Sequence, residues 1–452
     1  MNILNEMKIE SVKEEKGKVT VITTGAKYVI HKFGENGRIF CYQLINKERL
    51  IAVVDFNYSF STLSLERKDE TTCVFQQQLR AGMRDASYLR LQINSDSLLD
   101  IYCLGELKLS FSGHFLPDYS AMKDGNILLI DKMGGIGVYP YQGLRNMEKV
   151  VDFSYKEWKI YYTLNSYCRF FLSIFPPRRF NYKQSFEDRI AHHGSIAPEA
   201  LQPFPSNREI EDAAKYTNIM VLHASIWQGN FTRSNRPVKT PEDCYANASC
   251  SCFDYLPVNE QELVRVIRKA HSLGMRIIPY MSPFYSTARG KDFLDRVNDV
   301  LNKYNFDGVY YDGSSADMLC AYQLIRDTRA LLKDKILYFH CTSDPLMSTN
   351  IFCPFINTYA DYVLRAEHIT DFNDTYLRYV ISGFNISNTI NYVCYFDYPS
   401  SFIRKLVDKV LAVNARFYLG MPETGKERLL KKVYFPKLNG LKRKRLKVTG
   451  KA

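Results

Sequence analysis

Several short apolar runs in the second half of the chain end in residues that can move protons. FDGVYYDG carries Asp312 next to its end, KILYFHCTS carries His340, and DYVLRAEH carries Arg365 and Glu367. Two carboxyl groups held apart by separate strands suit cleavage of a glycosidic bond. One, ionised, attacks the anomeric carbon; the other, protonated, hands its proton to the leaving oxygen. The two need different surroundings so that one keeps its proton while the other does not. Asp312 suits the ionised role, with strand-end amides and the neighbouring Tyr310 and Tyr311 as donors, and Glu367 suits the protonated one.

Period-two alternation along a strand decides which side chains share a face. It pairs Tyr310 with Asp312, Arg365 with Glu367, and His340 with Thr342, and it groups His223, Ser225 and Trp227. The expected cluster is therefore Asp312, Glu367, Arg365, His223, Trp227, His340, Tyr310, Tyr280 or Met281, and one of His192 or His193. Trp227, one of two tryptophans, is a candidate ring for stacking on a sugar. Plainer readings stand beside these. Asp312-Gly313 is a common turn dipeptide, Glu367 fits an exposed loop charge, and the histidines fit ordinary hydrogen bonding. A metal-dependent hydrolase built on His192, His193, His223 and His340 is a further reading, but no H-x-H pair ends a strand. Neither a metal nor a cofactor is expected.

These residues need a scaffold that brings strand ends together. From about residue 185, short apolar strands alternate with amphipathic helices: NIMVLHASIW, ELVRVIRKAHSL, MRIIPYMSP, KDFLDRVNDVLNKY, FDGVYYDG, ADMLCAYQLIRDTRALLK, KILYFHCTS and DYVLRAEH. With IAHHGSI as a first strand, a seventh near Ile386–Ile390 and an eighth after SFIRKLVDKVLAVN, the pattern predicts a (β/α)8 barrel with its site at the carboxyl ends of the strands. No Gly-rich phosphate loop follows any strand, since GGIGVY precedes no helix, which disfavours dinucleotide binding.

The first 178 residues read differently. KVTVITT, AKYVIHKF, RIFCYQLI, RLIAVVDF, LKLSFSGHF and WKIYYTL are β-branched and aromatic, and turn sequences such as GENGR and KDGN separate them. An antiparallel β-sandwich is expected over 1–178, a barrel over 179–422 and a basic tail over 423–452, with Pro176-Pro177 breaking the ladder at the junction.

Of the net charge of +12, eleven Lys or Arg against one Glu lie between Lys426 and Ala452, so the folded body is nearly neutral and is not expected to bind nucleic acid. No apolar run reaches bilayer length and the opening residues show no apolar leader, so a soluble cytoplasmic protein is expected; oligomeric state is not legible. Eleven scattered cysteines, several inside apolar runs, read as small hydrophobes in a reducing compartment. The trio Cys244, Cys250 and Cys252 is a weak metal signal, and the sequons at Asn230 and Asn247 carry little weight.

The linker FPPRRFNYKQSFEDRIAHHGS after a β domain, followed by a fourth strand ending GVYYDG, resembles the α-galactosidase and α-glucosidase superfamily of retaining glycoside hydrolases, whose N-terminal domains are mutarotase-like. The resemblance implies Asp312 as nucleophile, Glu367 as acid/base, and an oligosaccharide or polysaccharide substrate contacted by Arg365, Trp227, His223, His340, Tyr280, Tyr310 and His193. Tyr310 stands where the galactosidase type carries Lys, and Glu367 where the family commonly carries Asp. The rival reading is a carbohydrate-binding protein without turnover on a degenerate barrel.

Overall fold

The computed structural model describes residues 3–79, 87–152, 157–194, 202–229, 253–283, 285–288, 291–314, 317–340, 353–367, 372–382, 386–395 and 398–448. Cys244, Cys250, Cys252, Asn230, Asn247, Cys341, Thr342 and most of the segment 228–258 lie outside them. The chain divides into two compact units. One holds Met1–Phe180, Thr349–Thr358 and Asn385–Asn388; the other holds the rest.

The first unit is one continuous antiparallel network of fourteen strands. Its alternation is clean: Lys18–Thr23 and Ala26–His31 bury every second residue. Val19, Val21, Tyr28 and Ile30 from one half share a core with Leu89, Leu91, Ile93, Leu99 and Ile101 from the other. Two long strands, Gly134–Asp152 and Glu157–Phe175, pair along their length and shift register at Pro140/Gln142, Gln142/Leu144 and Leu144/Asn146, where the ladder bends. Gly113 is required where it stands, since a Cβ there would lie 1.7 Å from the Trp158 ring. The glycines of GGIGVY sit at the start of the first long strand, with no helix after them.

The second unit is a closed ring of parallel strands. Its first seven passes are Ile190–His193, Ile219–Leu222, Arg276–Met281, Gly308–Asp312, Ile336–His340, Tyr362–Arg365 and Ile390–Val393. The eighth pass is split at Tyr418: Arg416–Phe417 pairs with the seventh strand and Leu419–Met421 with the first, which closes the ring. The helices Glu260–Ser272, Lys291–Tyr304, Met318–Leu332 and Ser400–Ala412 each bury one apolar stripe. Asn259 and Asp317 cap two of them by accepting from backbone N–H groups of Glu262 and Cys320, and Gly274, at a φ of 72°, follows the first.

Three sequence expectations need correction. The second strand ends at Leu222 and continues as a 3-10 turn over Ala224–Ile226, so His223, Ser225 and Trp227 do not share a strand face. The seventh strand begins at Ile390, at the end of the stretch expected to form it. Cys320 is disulfide-bonded, whereas Cys41, Cys73, Cys103, Cys168, Cys353 and Cys394 are free and buried.

The C-terminal stretch is helical over Gly425–Leu429, Leu430–Tyr434 and Phe435–Val448, and it buries Leu429, Leu430, Tyr434, Phe435 and Leu438. Among the described residues no helix is long and apolar enough to cross a membrane.

Candidate active site

The interior of the ring is filled by phenols and imidazoles. Ring centroids of Tyr310 and Tyr338 lie 4.8 Å apart, those of His192 and Tyr418 4.4 Å, and those of His223 and Tyr280 4.6 Å. A buried hydroxyl must find a partner. Tyr338 meets His192 Nε2 at 3.2 Å, Tyr392 donates to the Asp188 carbonyl at 3.1 Å, and Tyr362 donates to the Asp188 carboxylate. Burial, with the nearby His223 and His340, holds His192 well below the ordinary imidazole range. His192 is therefore a neutral ring under the site.

Register sets which residues reach the mouth. Tyr280 pairs with Tyr310, Tyr310 with Tyr338, and Asp312 with His340, and neighbours paired in parallel strands point the same way. Tyr310 and Asp312 therefore face inward as expected, while Tyr311 points outward and meets Thr328 of helix Met318–Leu332 through its hydroxyl at 3.0 Å.

Asp312, 7% exposed, accepts from Tyr280 through Oδ2 at 3.0 Å and from His340 Nδ1 through Oδ1 at 2.9 Å. Burial pushes its carboxyl up. The His340 hydrogen bond and charge, His223 and the Tyr280 hydroxyl outweigh that, and the net shift is below the usual aspartate value. Tyr280 is pushed well above the ordinary phenol range, by burial first and then by the Asp312 charge, so its hydroxyl stays a donor. On the far side of the imidazole, His340 Nε2 lies 3.3 Å from Glu367 Oε2, and the Glu367 side chain is 25% exposed. One histidine thus stands between the two candidate carboxyl groups.

The sixth strand departs from expectation. Its partner Tyr392 faces the interior and is aligned with Leu364, so Leu364 faces inward and Arg365 faces out. The Arg365 guanidinium donates to the Val380 carbonyl in the π-helical turn Leu377–Ser382, where Asn391 also donates to Ile381. Glu367 reaches the mouth because Ala366 breaks the alternation with a φ of 78°.

The remaining candidates are placed as follows. Tyr310 is 1% exposed and forms part of the floor, ringed by His192, His223, Tyr280, Tyr338 and His340. Trp227 is 2% exposed, packs on Tyr255 and donates to the Tyr280 carbonyl at 2.7 Å, which makes it a support for the third strand. His193 lies apart from Asp312, meets the Gln202 carbonyl at 3.1 Å and lines a separate cavity of about 630 Å³ with Phe204 and Arg265. Among the described residues no three His, Cys, Asp or Glu side chains converge as a metal site.

Sequence reasoning missed two supports. Ser282 Oγ donates to the Asp312 carbonyl at 2.6 Å, and Tyr255 fixes Ser282 through its hydroxyl, which donates to the Ser282 carbonyl and accepts from its N–H, both at 2.8 Å. Ser282 shares parity with Tyr280, which was a readable signal; Tyr255 lies in an aperiodic stretch that offered none.

No protein-family model matches the sequence, and neither does any curated protein. Solved structures that resemble the chain do so at low identity. A cycloalternan-forming enzyme from Listeria monocytogenes, in complex with a pentasaccharide substrate, matches 96% of this chain and 54% of its own at 9% identity, with a TM-score of 0.44. A dextranase from Flavobacterium johnsoniae complexed with glucose matches 96% and 68% at 7% identity, with a TM-score of 0.43. A maltogenic alpha-amylase from Thermotoga neapolitana matches 54% and 69% at 12% identity, with a TM-score of 0.35. The chain spans about half the length of the cycloalternan-forming enzyme. At these values the comparisons carry no argument, and the chemistry is argued from the side chains.

Proposed function

We propose that this protein is a glycoside hydrolase acting with retention on an oligosaccharide or polysaccharide, with Asp312 as nucleophile and Glu367 as acid/base. The observation that carries the reading is the pair of carboxyl groups at the ends of the fourth and sixth strands, in contact with opposite nitrogens of one imidazole. Asp312 is the ionised member, since its donors outweigh its burial. Each of its oxygens has a second lone pair beyond the hydrogen bond it accepts, and that pair attacks the anomeric carbon. Glu367, the more exposed of the two, protonates the departing oxygen and then takes a proton from the water that releases the sugar.

The test uses aryl glycosides of graded leaving group. Asp312→Asn is expected to lower kcat/KM by at least about 10³-fold on every substrate. Glu367→Gln should lose about 10²–10⁴-fold on a poor leaving group and far less on dinitrophenolate, which needs no proton. NMR of the first-formed product should show the substrate's anomeric configuration retained. Full activity in both variants ends the proposal, and an inverted first product moves Asp312 from nucleophile to general base.

A further inference from the structure

We infer that Cys103 and Cys168 are a site of covalent modification, where a low-molecular-weight disulfide of the glutathione class oxidises the two thiols to a cross-strand disulfide. Both residues lie in the first unit, so the inference stands apart from the glycosidase reading.

Register carries it. Leu98–Leu104 runs antiparallel to Glu157–Phe175, and Cys103 stands directly opposite Cys168, between the pairs Leu104–Tyr167 and Tyr102–Arg169. Opposed residues of an antiparallel ladder have Cα atoms about 4.5–5.5 Å apart. That falls inside the roughly 4.4–6.8 Å that a disulfide spans. Opposed side chains also leave a sheet on the same face, and here both enter the hydrophobic core of the unit. Cys168 Sγ meets the Cys103 carbonyl at 3.5 Å. The hydrogen bond between the two thiols raises Cys103, with burial adding to it, and lowers Cys168 against its burial. Both thiols are free.

The placement is particular to this pair. Cys41 stands opposite Tyr28 and Ala52, and Cys73 opposite Lys68 and Ile93. Cys353 and Cys394 lie outside the strands. Among the described free cysteines, only Cys103 and Cys168 face each other across a ladder. The chain already carries a disulfide at Cys320.

Both thiols are 0% exposed, so the reagent meets them while the unit folds or opens, and the native register then selects which pair closes. The Cys168 thiolate attacks one sulfur of the external disulfide; that S–S bond breaks, and the first reagent thiolate leaves with the electron pair. Cys103 then attacks Cys168 Sγ, forming the protein S–S bond and expelling the second reagent thiolate. The two protons given up by the cysteines are taken by the two departing thiolates. The cysteine sulfurs are oxidised and the external disulfide is reduced to two thiols. The bond joins residues 65 positions apart in sequence, which narrows the unfolded ensemble and favours the folded unit.

The test refolds the full chain from urea in a buffer of reduced and oxidised glutathione, blocks remaining thiols with iodoacetamide, and maps the peptides by mass spectrometry. The expected result is one peptide pair linked through Cys103 and Cys168, lighter by two hydrogen atoms than the dithiol, with Cys41 and Cys73 alkylated. Alkylation of both Cys103 and Cys168 would overturn the inference, and so would links from either to Cys41 or Cys73 in equal amount, since register would then select nothing.

A second measurement asks whether the native sheet accepts the bond. In a Trp227→Phe background, where Trp158 reports on the first unit, the urea midpoint of the oxidised protein should exceed that of the protein reduced with dithiothreitol. Cys168→Ala should abolish the difference, and Cys103→Ser serves the same purpose if the alanine variant fails to fold. An oxidised midpoint equal to or below the reduced one overturns the inference, because the bond would then form only at the expense of the ladder.

Discussion

Ala366 adopts a left-handed φ of 78°, a region that costs a non-glycine residue about 1–2 kcal/mol. Its carbonyl is pinned by the Tyr398 hydroxyl and its side chain is 4% exposed, so the surroundings enforce the conformation. The strain has a visible result: it swings Glu367 to the mouth although parity would send it outward. Ala366→Gly should therefore raise stability by about 0.5–1 kcal/mol, the relief less the added freedom of the unfolded chain, and leave kcat/KM within a few-fold. Ala366→Val should lower both, because a β-branched residue resists positive φ. Thermal denaturation and kinetics on the same aryl glycoside check this; a valine variant with wild-type activity would mean that Glu367 does not depend on the turn.

Asp312 supplies a second residue-scale expectation, in pH. Its folded-state value is depressed, so the stability it contributes is fully present above the ordinary aspartate value near about 4 and is lost as pH falls below it. Between pH 5 and 3 the wild type should lose stability faster than Asp312→Asn, measured by denaturant midpoints across that range. Parallel losses in the two proteins would show that the carboxylate is not held ionised by its neighbours.

At the scale of elements, the floor of the ring adds an effect at higher pH. His192 is depressed by burial, so the unfolded chain binds a proton near pH 6.5 that the folded chain refuses. Stability should then fall as pH drops below about 6.5, by up to roughly 1.4 kcal/mol per pH unit for this one group. His192→Gln, which keeps a polar group for the Tyr338 hydroxyl, should flatten that slope.

The strands that carry the site differ in how far their sequences disclosed them. The fourth and fifth obey strict alternation, so the inward placing of Tyr310, Asp312 and His340 could be read directly. In the sixth, two polar residues at matching parity suggested a shared inward face, yet the interior accepts Tyr362 and Leu364 there and sends Arg365 to the π-helical turn. Nothing in LRAEH announces that its alanine will turn left-handed, because tertiary contacts impose it. The 3-10 turn after Leu222 escaped for a similar reason: ASIW is as compatible with a strand as with a turn. His340 was legible as a mouth residue, but its place between two carboxyl groups depends on three strands at once, which one-dimensional spacing does not encode.

On the scale of the whole chain, the two units interleave in sequence. Thr349–Thr358 and Asn385–Asn388 belong to the first unit although barrel strands flank them, and no shift in composition marks either segment. Within that unit Phe355 is 1% exposed and packs on Tyr139 at 5.3 Å and on Phe171 at 6.1 Å, while Asn388 donates to the Thr358 carbonyl at 2.8 Å. Truncating a fully buried phenylalanine costs about 3–5 kcal/mol.

The chain's two tryptophans make this measurable, since Trp158 lies in the first unit and Trp227 in the second. Phe355→Ala in a Trp227→Phe background reports through Trp158, and in a Trp158→Phe background through Trp227. The urea midpoint seen by Trp158 should fall by more than the midpoint seen by Trp227. Equal displacement of the two reporters would mean that residues 349–358 are energetically part of the barrel, whatever unit their contacts favour, and no displacement of either would mean that the Phe355 pocket closes without cost.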